Sequence, residues 1–116
     1  MGRVELVKGT LDVMILKALA WGPKHGYAVT RWVADATDGK LDIVEGALYP
    51  ALHRLERRGL VASDWGLSEN NRQARFYRVT TAGRRQLTAE VSAWREYVDL
   101  VGRVLDAPAN VAVVDA

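Results

Sequence analysis

The last third of the chain carries an apolar seam that is too long for the domain the rest of the chain can form. The segment from residue 80 to 106 opens with Thr80 and Thr81, which can cap a helix. It then runs for about 26 residues, or roughly 40 Å at 1.5 Å per residue. In a chain of 116 residues we expect such a helix to leave its own core and pack on another helix. The 4-3-4-3-4 spacing of the seam is typical of helix pairs, and its members are Leu87, Val91, Trp94, Val98, Val101 and Leu105.

The composition excludes several classes of function. The chain has no cysteine, which removes disulfides, thiolate metal sites and thiol catalysis. Its two histidines, His25 and His53, lack a matching carboxylate motif, so we predict no metal and no cofactor. No nucleophile with a base at motif spacing, glycine-rich phosphate loop or pair of acids in an apolar setting occurs, so we predict no enzymatic activity.

No apolar run approaches the roughly 20 residues that a membrane span needs. The segment MGRVELVKGT also lacks the apolar core of a signal peptide. We therefore expect a cytoplasmic protein without a membrane partner.

Three shorter helices are predicted before the long one. The first begins with Thr10 as a candidate cap and ends at Trp21-Gly22-Pro23. The second covers HGYAVTRWVADATDG and closes with Gly39. The third lies in the segment EGALYPALHRLERRGL, residues 45 to 60, and is ended by Arg58-Gly59. Within it, Pro50 predicts either a start near Ala47 or a slight bend.

The segment after the third helix alternates in the manner of strands. Val61, Ser63 and Trp65 alternate with other residues, the polar stretch SENNRQ follows, and alternation returns up to Val79. This pattern predicts a two-stranded hairpin with a basic, polar tip. Before the third helix, residues 40 to 43 are expected to form a short extended stretch.

The third helix has two different faces. Leu48, Leu52 and Leu55 form an apolar face, while aromatic and basic side chains lie on or beside the other. Residues 40 to 86 hold nine basic and five acidic residues, whereas residues 87 to 116 hold two basic and five acidic ones. This charge distribution predicts that the middle of the chain meets an anion.

Three helices followed by a hairpin are the order of a winged helix-turn-helix, whose third helix enters the DNA major groove. The fold class predicted is mainly α with a small β-hairpin. It comprises a DNA-binding domain over residues 1–79, a long C-terminal dimerisation helix over 80–106 and a flexible tail over 107–116. On the third helix, Arg57 and Arg58 would lie toward phosphates. The residues that face the groove would be Tyr49, Pro50, His53 and Arg54. The hairpin, which is the wing of this fold, would carry Arg72 and Arg75 to the neighbouring DNA backbone.

Less specific interpretations stand beside this one. The basic residues could form an ordinary solvated face, and Tyr49 could fold back to close the core. His25 is expected to bond locally at the start of the second helix. The alternative function is a winged-helix protein-interaction module that uses the same surface on an acidic protein partner. Three tryptophans are predicted to pack rather than bind, namely Trp21, Trp32 and Trp65.

Four motifs in order give a specific resemblance. The segments KGTLDVMILKAL, GPKHGYAVTRWV, EGALYPALHRLERRGLV and WGLSENNRQARFYRVTTAGR resemble the PadR-like transcriptional regulators over residues 8 to about 106. The likeness is to the short form with one C-terminal helix. One departure is Ala47, where relatives often carry a hydroxyl residue that can cap the helix and meet a phosphate.

The resemblance implies repression by a homodimer on an inverted-repeat operator in double-stranded DNA, with release by a small molecule or another signal. It implies that the last helix packs on the first helix of the partner subunit, which adds Leu11 and Ile15 to the dimerisation residues. It also implies that Tyr27 sets the second helix near phosphate. The predicted DNA-contacting residues are Tyr27, Lys40, Tyr49, Pro50, His53, Arg54, Arg57, Arg72 and Arg75.

Trp94 lies in the middle of the seam, where a coiled coil prefers leucine or isoleucine. Two indoles facing each other across a two-fold axis would hold the helices apart and leave an apolar slot. Short members of the family can bind flat aromatic compounds at the dimer centre, so the resemblance favours a planar aromatic ligand at Trp94. The alternative is that Trp94 only packs in the interface.

Overall fold

The computed structural model describes residues 9–110, which form four helices and a small antiparallel sheet. This confirms the predicted fold class, and the long C-terminal helix has the predicted length. The part of the tail beyond residue 110 lies outside the described residues. In chain order the elements are α1 (Thr10–Leu19), β1 (Lys24–His25), α2 (Gly26–Ala36), α3 (Glu45–Arg57), β2 (Val61–Leu67), β3 (Gln73–Val79) and α4 (Thr81–Asp106).

The sheet has three strands rather than the predicted two, in the order β1-β3-β2. Strands β2 and β3 form the hairpin, here called the wing, and pair from Val61 with Val79 to Leu67 with Gln73. The added strand β1 pairs Lys24 with Tyr77 on the outer edge of β3. Two residues are too few for an alternating pattern to reveal a strand, so this strand was not predicted.

The core lies between the first three helices and the base of the wing. The apolar face of α3 is buried as predicted, and Leu48, Leu52 and Leu55 are at most 1% exposed. Tyr77 on β3 is 2% exposed and is the largest fully buried side chain. The segment between α2 and α3 forms no strand, and Ile43 in it is buried in the same core.

Helix starts differ from the sequence prediction at two points. Gly9, with a left-handed φ of 90°, is the N-cap residue of α1, and Thr10 is already helical. Helix α3 is regular from Glu45, because the carbonyl of Val44 accepts hydrogen bonds from two successive backbone N–H groups before Pro50 is reached. Of the two alternatives predicted for Pro50, the start near Ala47 is therefore wrong, and the slight bend stays a prediction.

Glycines end α2 and α3 as predicted. The Gly39 N–H, three residues beyond the last helical residue Ala36, donates to the Ala34 carbonyl at 2.8 Å. Gly59, with φ 74°, follows α3 and lets the Leu60 N–H donate to the Leu55 carbonyl at 3.0 Å. This is a Schellman motif, in which a left-handed glycine satisfies the last helical carbonyls.

One compact contact, here called the junction, connects the end of α3 to the start of α4. The Thr80 hydroxyl donates to the Gly59 carbonyl at 2.7 Å, and the Thr80 N–H donates to the Leu60 carbonyl at 3.0 Å. The same hydroxyl accepts from the Gly83 N–H at 3.0 Å, which confirms the predicted cap. Two helices distant in sequence are thereby fixed to each other.

Helix α4 leaves the domain after its first turns. Gly83 and Leu87 are its buried residues, and the described molecule measures 62 × 36 × 21 Å. Within residues 9–110, no helix is both long and apolar enough to cross a membrane.

Two of the three tryptophans predicted to pack are exposed. Trp21, beyond the end of α1, is 69% exposed with the Lys17 ammonium 5.0 Å from its ring centre, and Trp65 on the wing is 65% exposed. Only Trp32 packs against the core. The prediction fails because Trp21 follows the last helical turn, and because Trp65 lies on β2 beyond the point where the sheet covers the core.

Candidate nucleic-acid interface

A cleft of about 550 Å³ separates the start of α2 from the inner face of the wing. We call it the interface cleft. It brings together four of the nine predicted DNA-contacting residues from three elements, and Glu69 and Asn70 close it at the wing tip. These four residues are Tyr27, Tyr49, Arg72 and Arg75.

Tyr49 packs against the core, as the less specific interpretation expected, and its contact with DNA stays a prediction. Its side chain is half-buried and packs on the core, yet it also lines the interface cleft. The ring lies directly against Gly26, where an added Cβ would be 2.5 Å from the Tyr49 hydroxyl and 2.8 Å from the ring. Gly26 therefore lets the first turn of α2 approach α3 closely.

Tyr27 points outward beside a basic residue that the sequence prediction missed. It is 63% exposed, and its hydroxyl accepts a hydrogen bond from Arg31 Nη1 at 3.2 Å. The Arg31 guanidinium carbon is 5.9 Å from the Tyr27 ring centre. The hydrogen bond to Tyr27 is the main reason that the pKa of Arg31 is raised. The i, i+4 spacing of the two residues was the available signal.

His25 holds the start of α2. Its Nδ1 accepts a hydrogen bond from the Ala28 N–H at 3.2 Å, which confirms the predicted local role. The ring also meets Phe76 edge-on, with centroids 5.4 Å apart, and this contact joins α2 to β3.

The outer face of α3 lies beside the interface cleft. Pro50, His53 and Arg57 are exposed along it at helical spacing. Arg54 is engaged elsewhere, because its Nη2 lies 3.1 Å from an Asp12 carboxylate oxygen on α1. Lys40 is exposed in the segment before α3 and does not line the cleft.

The wing presents its two arginines differently. Arg72 is exposed at the tip, where its carbonyl accepts from the Ser68 N–H at 2.8 Å and closes the turn. Arg75 is held by its neighbours: its Nε–H donates to the Ser63 hydroxyl at 2.9 Å, and its guanidinium carbon is 5.3 Å from the centre of the Trp65 ring.

Helix α4 carries the exposed part of the apolar seam. Trp94 is 39% exposed and its ring centroid is 6.1 Å from that of Tyr97. Val98, Val101 and Leu105 are also exposed.

Helix α1 has less exposed surface for a partner subunit than the resemblance implied. Leu11 is half-buried, but Ile15 is fully buried in the core of its own chain and has no surface left for a second subunit. The assignment of Ile15 to dimerisation is therefore corrected.

The fold and this surface define a class, the winged helix-turn-helix proteins that bind DNA. The sequence model of the family described as "Transcriptional regulator PadR-like family" matches residues 15–89 of the chain. The chain belongs to the PadR-like family of transcriptional regulators. It is accordingly a DNA-binding regulator and not an enzyme.

Several known proteins are similar to the chain. A PadR family regulator from Eggerthella lenta has 34% sequence identity and a TM-score of 0.75, covering 87% of this chain and 86% of that one. A transcriptional regulator from Clostridium thermocellum has 28% identity and a TM-score of 0.75, covering 83% and 93% of the respective chains. A transcriptional regulator of Mycobacterium tuberculosis is 38% identical over 73 residues, which are 63% of this chain and 54% of that protein.

Proposed function

We propose that this regulator is a repressor that binds an inverted-repeat operator as a homodimer and is released by a planar aromatic ligand. In this proposal α3 reads bases, the wing and the start of α2 contact phosphates, and α4 forms the dimer. The observation that carries the proposal is the exposed face of α3 with His53 and Arg57, which adjoins the interface cleft through Tyr49, one helical turn before His53.

The composition of that surface suits DNA. His53 and Arg57 on α3 offer hydrogen-bond donors, and exposed guanidinium groups flank them at Arg31 and Arg72. These groups come from three separate elements, so they can contact a groove and the phosphates beside it at the same time. A surface of this kind binds DNA with a strong dependence on salt, because each phosphate contact releases counterions.

The homodimer is supported by the state of α4 in the single chain. Trp94, Val98 and Val101 are 39%, 49% and 37% exposed, and Leu105 is 77% exposed. A contiguous apolar stripe of this length marks a surface that another protein surface covers. Because the 4-3-4-3-4 spacing matches a helix partner, a second copy of α4 is the occupant we propose.

The ligand is proposed from Trp94 and its neighbour. The indole and the Tyr97 ring lie close together, tilted by 35°, on the exposed side of α4. Between two such helices these rings would offer flat apolar walls to a planar compound. For release, the ligand must bind the DNA-free arrangement more tightly than the DNA-bound one.

Two matched substitutions test the assignment of base readout and phosphate contact. The DNA is an inverted repeat taken from upstream of the gene, with half-sites about one helical turn apart. Arg72→Ala should weaken binding to operator and random DNA alike and lower the salt dependence by about one counterion. His53→Ala should cost about 1 to 3 kcal/mol on the operator and less on random DNA, because it removes a base contact.

Fluorescence anisotropy over a range of salt concentrations measures both effects. Arg103→Ala is the control, since Arg103 pairs with Asp99 on α4 and lies outside the proposed interface. Equal losses on both DNAs for His53→Ala and Arg72→Ala would contradict base readout by α3. Binding to an acidic protein but to no DNA fragment would instead establish the protein-interaction alternative.

A further inference from the structure

A line of polar contacts connects the last turn of α3 to both strands of the wing. Ser63 on β2 donates its hydroxyl proton to Glu56 Oε2 on α3 at 2.6 Å. The Ser63 Oγ in turn accepts the Nε–H of Arg75 from β3 at 2.9 Å. A serine hydroxyl has one proton, which here goes to the carboxylate, so the guanidinium must approach the lone pairs. The two bonds therefore fix each other's direction.

The line continues along the wall of the interface cleft. Arg75 and Trp65 are directly opposite each other in the strand register, and the guanidinium carbon lies 5.3 Å from the indole centre. Both residues line the interface cleft together with Arg72. The hydrogen bond from Arg75 to Ser63 thus helps to hold a side chain of the wing surface that faces the interface cleft.

Core packing holds only the base of the wing. Val61, Tyr77 and Val79 are its buried residues, and the strands from Asp64 to Phe76 are exposed or half-buried. Strand β1 braces β3 from its outer edge at Phe76 and Tyr77. On the opposite edge, the Ser63–Glu56 hydrogen bond joins β2 to α3. A hairpin without a buried face is marginally stable, so such a bond can influence where the wing lies.

We infer that Ser63 is a positioning residue that fixes the wing relative to the recognition helix α3 through Glu56 and Arg75. The inference rests on the proposed function, in which both elements contact one operator. Ser63 itself contacts no DNA in this scheme. Its role is to hold the tip of the wing where Arg72 reaches a phosphate while α3 occupies the groove.

A double-substitution cycle tests this role, because a residue that sets the position of the wing must change what Arg72 contributes. Ser63→Ala should weaken operator binding by about 3- to 10-fold, and the loss caused by Arg72→Ala should shrink to less than about half in the Ser63→Ala background. Ser63→Thr keeps the hydroxyl and suits a strand, so it should restore both values. Additive losses would overturn the inference.

A second measurement needs no DNA. Hydrogen exchange of the full-length protein should show faster exchange in Ser63→Ala at the wing-tip amides, of which the Ser68 N–H is bonded to the Arg72 carbonyl. Exchange of the core amides of α3 should stay unchanged, which shows that the chain remains folded.

Ser92→Ala, which changes an exposed serine on α4, is the control. Unchanged exchange at the wing tip would overturn the inference. If the wild-type protein failed to bind any operator, the proposed function would fail, while the exchange experiment would still decide whether Ser63 positions the wing.

Discussion

At the scale of single residues, Gly83 shows how closely two elements approach at the junction. A Cβ at this position would overlap the Leu60 carbonyl oxygen and lie 2.7 Å from a methyl group of Val79. The obstructing oxygen belongs to the backbone, so it cannot move aside as a flexible side chain can. The first turn of α4 therefore accepts only glycine at this point.

Gly83→Ala should lower the free energy of unfolding by about 1 to 3 kcal/mol or more, as expected for forcing a methyl group into a packed site. Urea denaturation measures the loss. Gly102→Ala, in the same helix, is the control: nothing lies within 4 Å of its Cβ, so it should stabilise the helix by about 0.5 to 1 kcal/mol. Equal effects of the two substitutions would show that Gly83 acts only through helix propensity.

Tyr77 makes the stability of the protein sensitive to alkaline pH. Burial raises the pKa of its hydroxyl, and the negative charge of Glu56 raises it further. The folded protein thus holds the proton at pH values where the unfolded chain, with an ordinary pKa of about 10, releases it. Stability is complete below pH 10 and falls as the pH rises through the raised pKa of the folded state.

Urea denaturation from pH 8 to 11 should show this fall in the wild-type protein. Tyr77→Phe keeps the ring in the core and removes the titrating group, so its stability should decline less steeply. Parallel pH profiles for the two proteins would show that Tyr77 does not cause the decline.

At the scale of elements, sequence periodicity predicted the helices that repeat over several turns and have recognisable ends. The apolar faces of α1, α3 and α4 repeat over at least two turns, and Gly39, Gly59 and Thr80 mark three helix ends. Strand β1 escaped prediction because it has two residues, and its pairing with β3 depends on tertiary contacts. A local pattern contains no information about such a partner.

The candidate site could be predicted only in part, because several of its contacts also depend on tertiary structure. The basic face of α3 and the arginines of the wing could be read from spacing. The contacts Ser63–Glu56 and Arg54–Asp12 join residues from different elements, so they became visible only in the folded chain. The placement of Tyr49 against Gly26 likewise requires α2 and α3 to be packed together.

Helix α4 provides the test of the proposed ligand. Anthracene-2-sulfonate is a suitable probe, because its flat apolar ring system can stack on the indole and its negative charge keeps it from intercalating into the operator DNA. Titration should quench tryptophan fluorescence in the wild-type protein and lower its affinity for the operator. In Trp94→Leu both effects should be lost. Quenching that persists in this variant would assign the signal to Trp21, Trp32 or Trp65 and remove the ligand from the proposal.

At the scale of the whole molecule, the proposed function requires two chains. Sedimentation velocity at micromolar concentration should show a dimer for the full-length protein. Val98→Glu places a charge in the apolar seam and should shift the protein toward the monomer. It should also weaken operator binding, since the second half-site is then no longer held at high effective concentration.

Ser92→Glu adds the same charge to α4 outside the apolar seam and should leave the dimer intact. A wild-type monomer at micromolar concentration would contradict the proposed role of the apolar seam.

The junction also makes the molecule a lever. Thr80 is bonded to Gly59 and Leu60, which lie just beyond the C-cap residue of α3, so α4 and α3 turn together about that point. Helix α4 has 26 residues, and at 1.5 Å per residue its far end lies about 39 Å from the junction. A rotation of about 5° there displaces the far end by about 3 Å, close to the rise of one base pair. In the proposed dimer, small angular changes between two such arms would therefore shift the two copies of α3 along DNA by about one base-pair step.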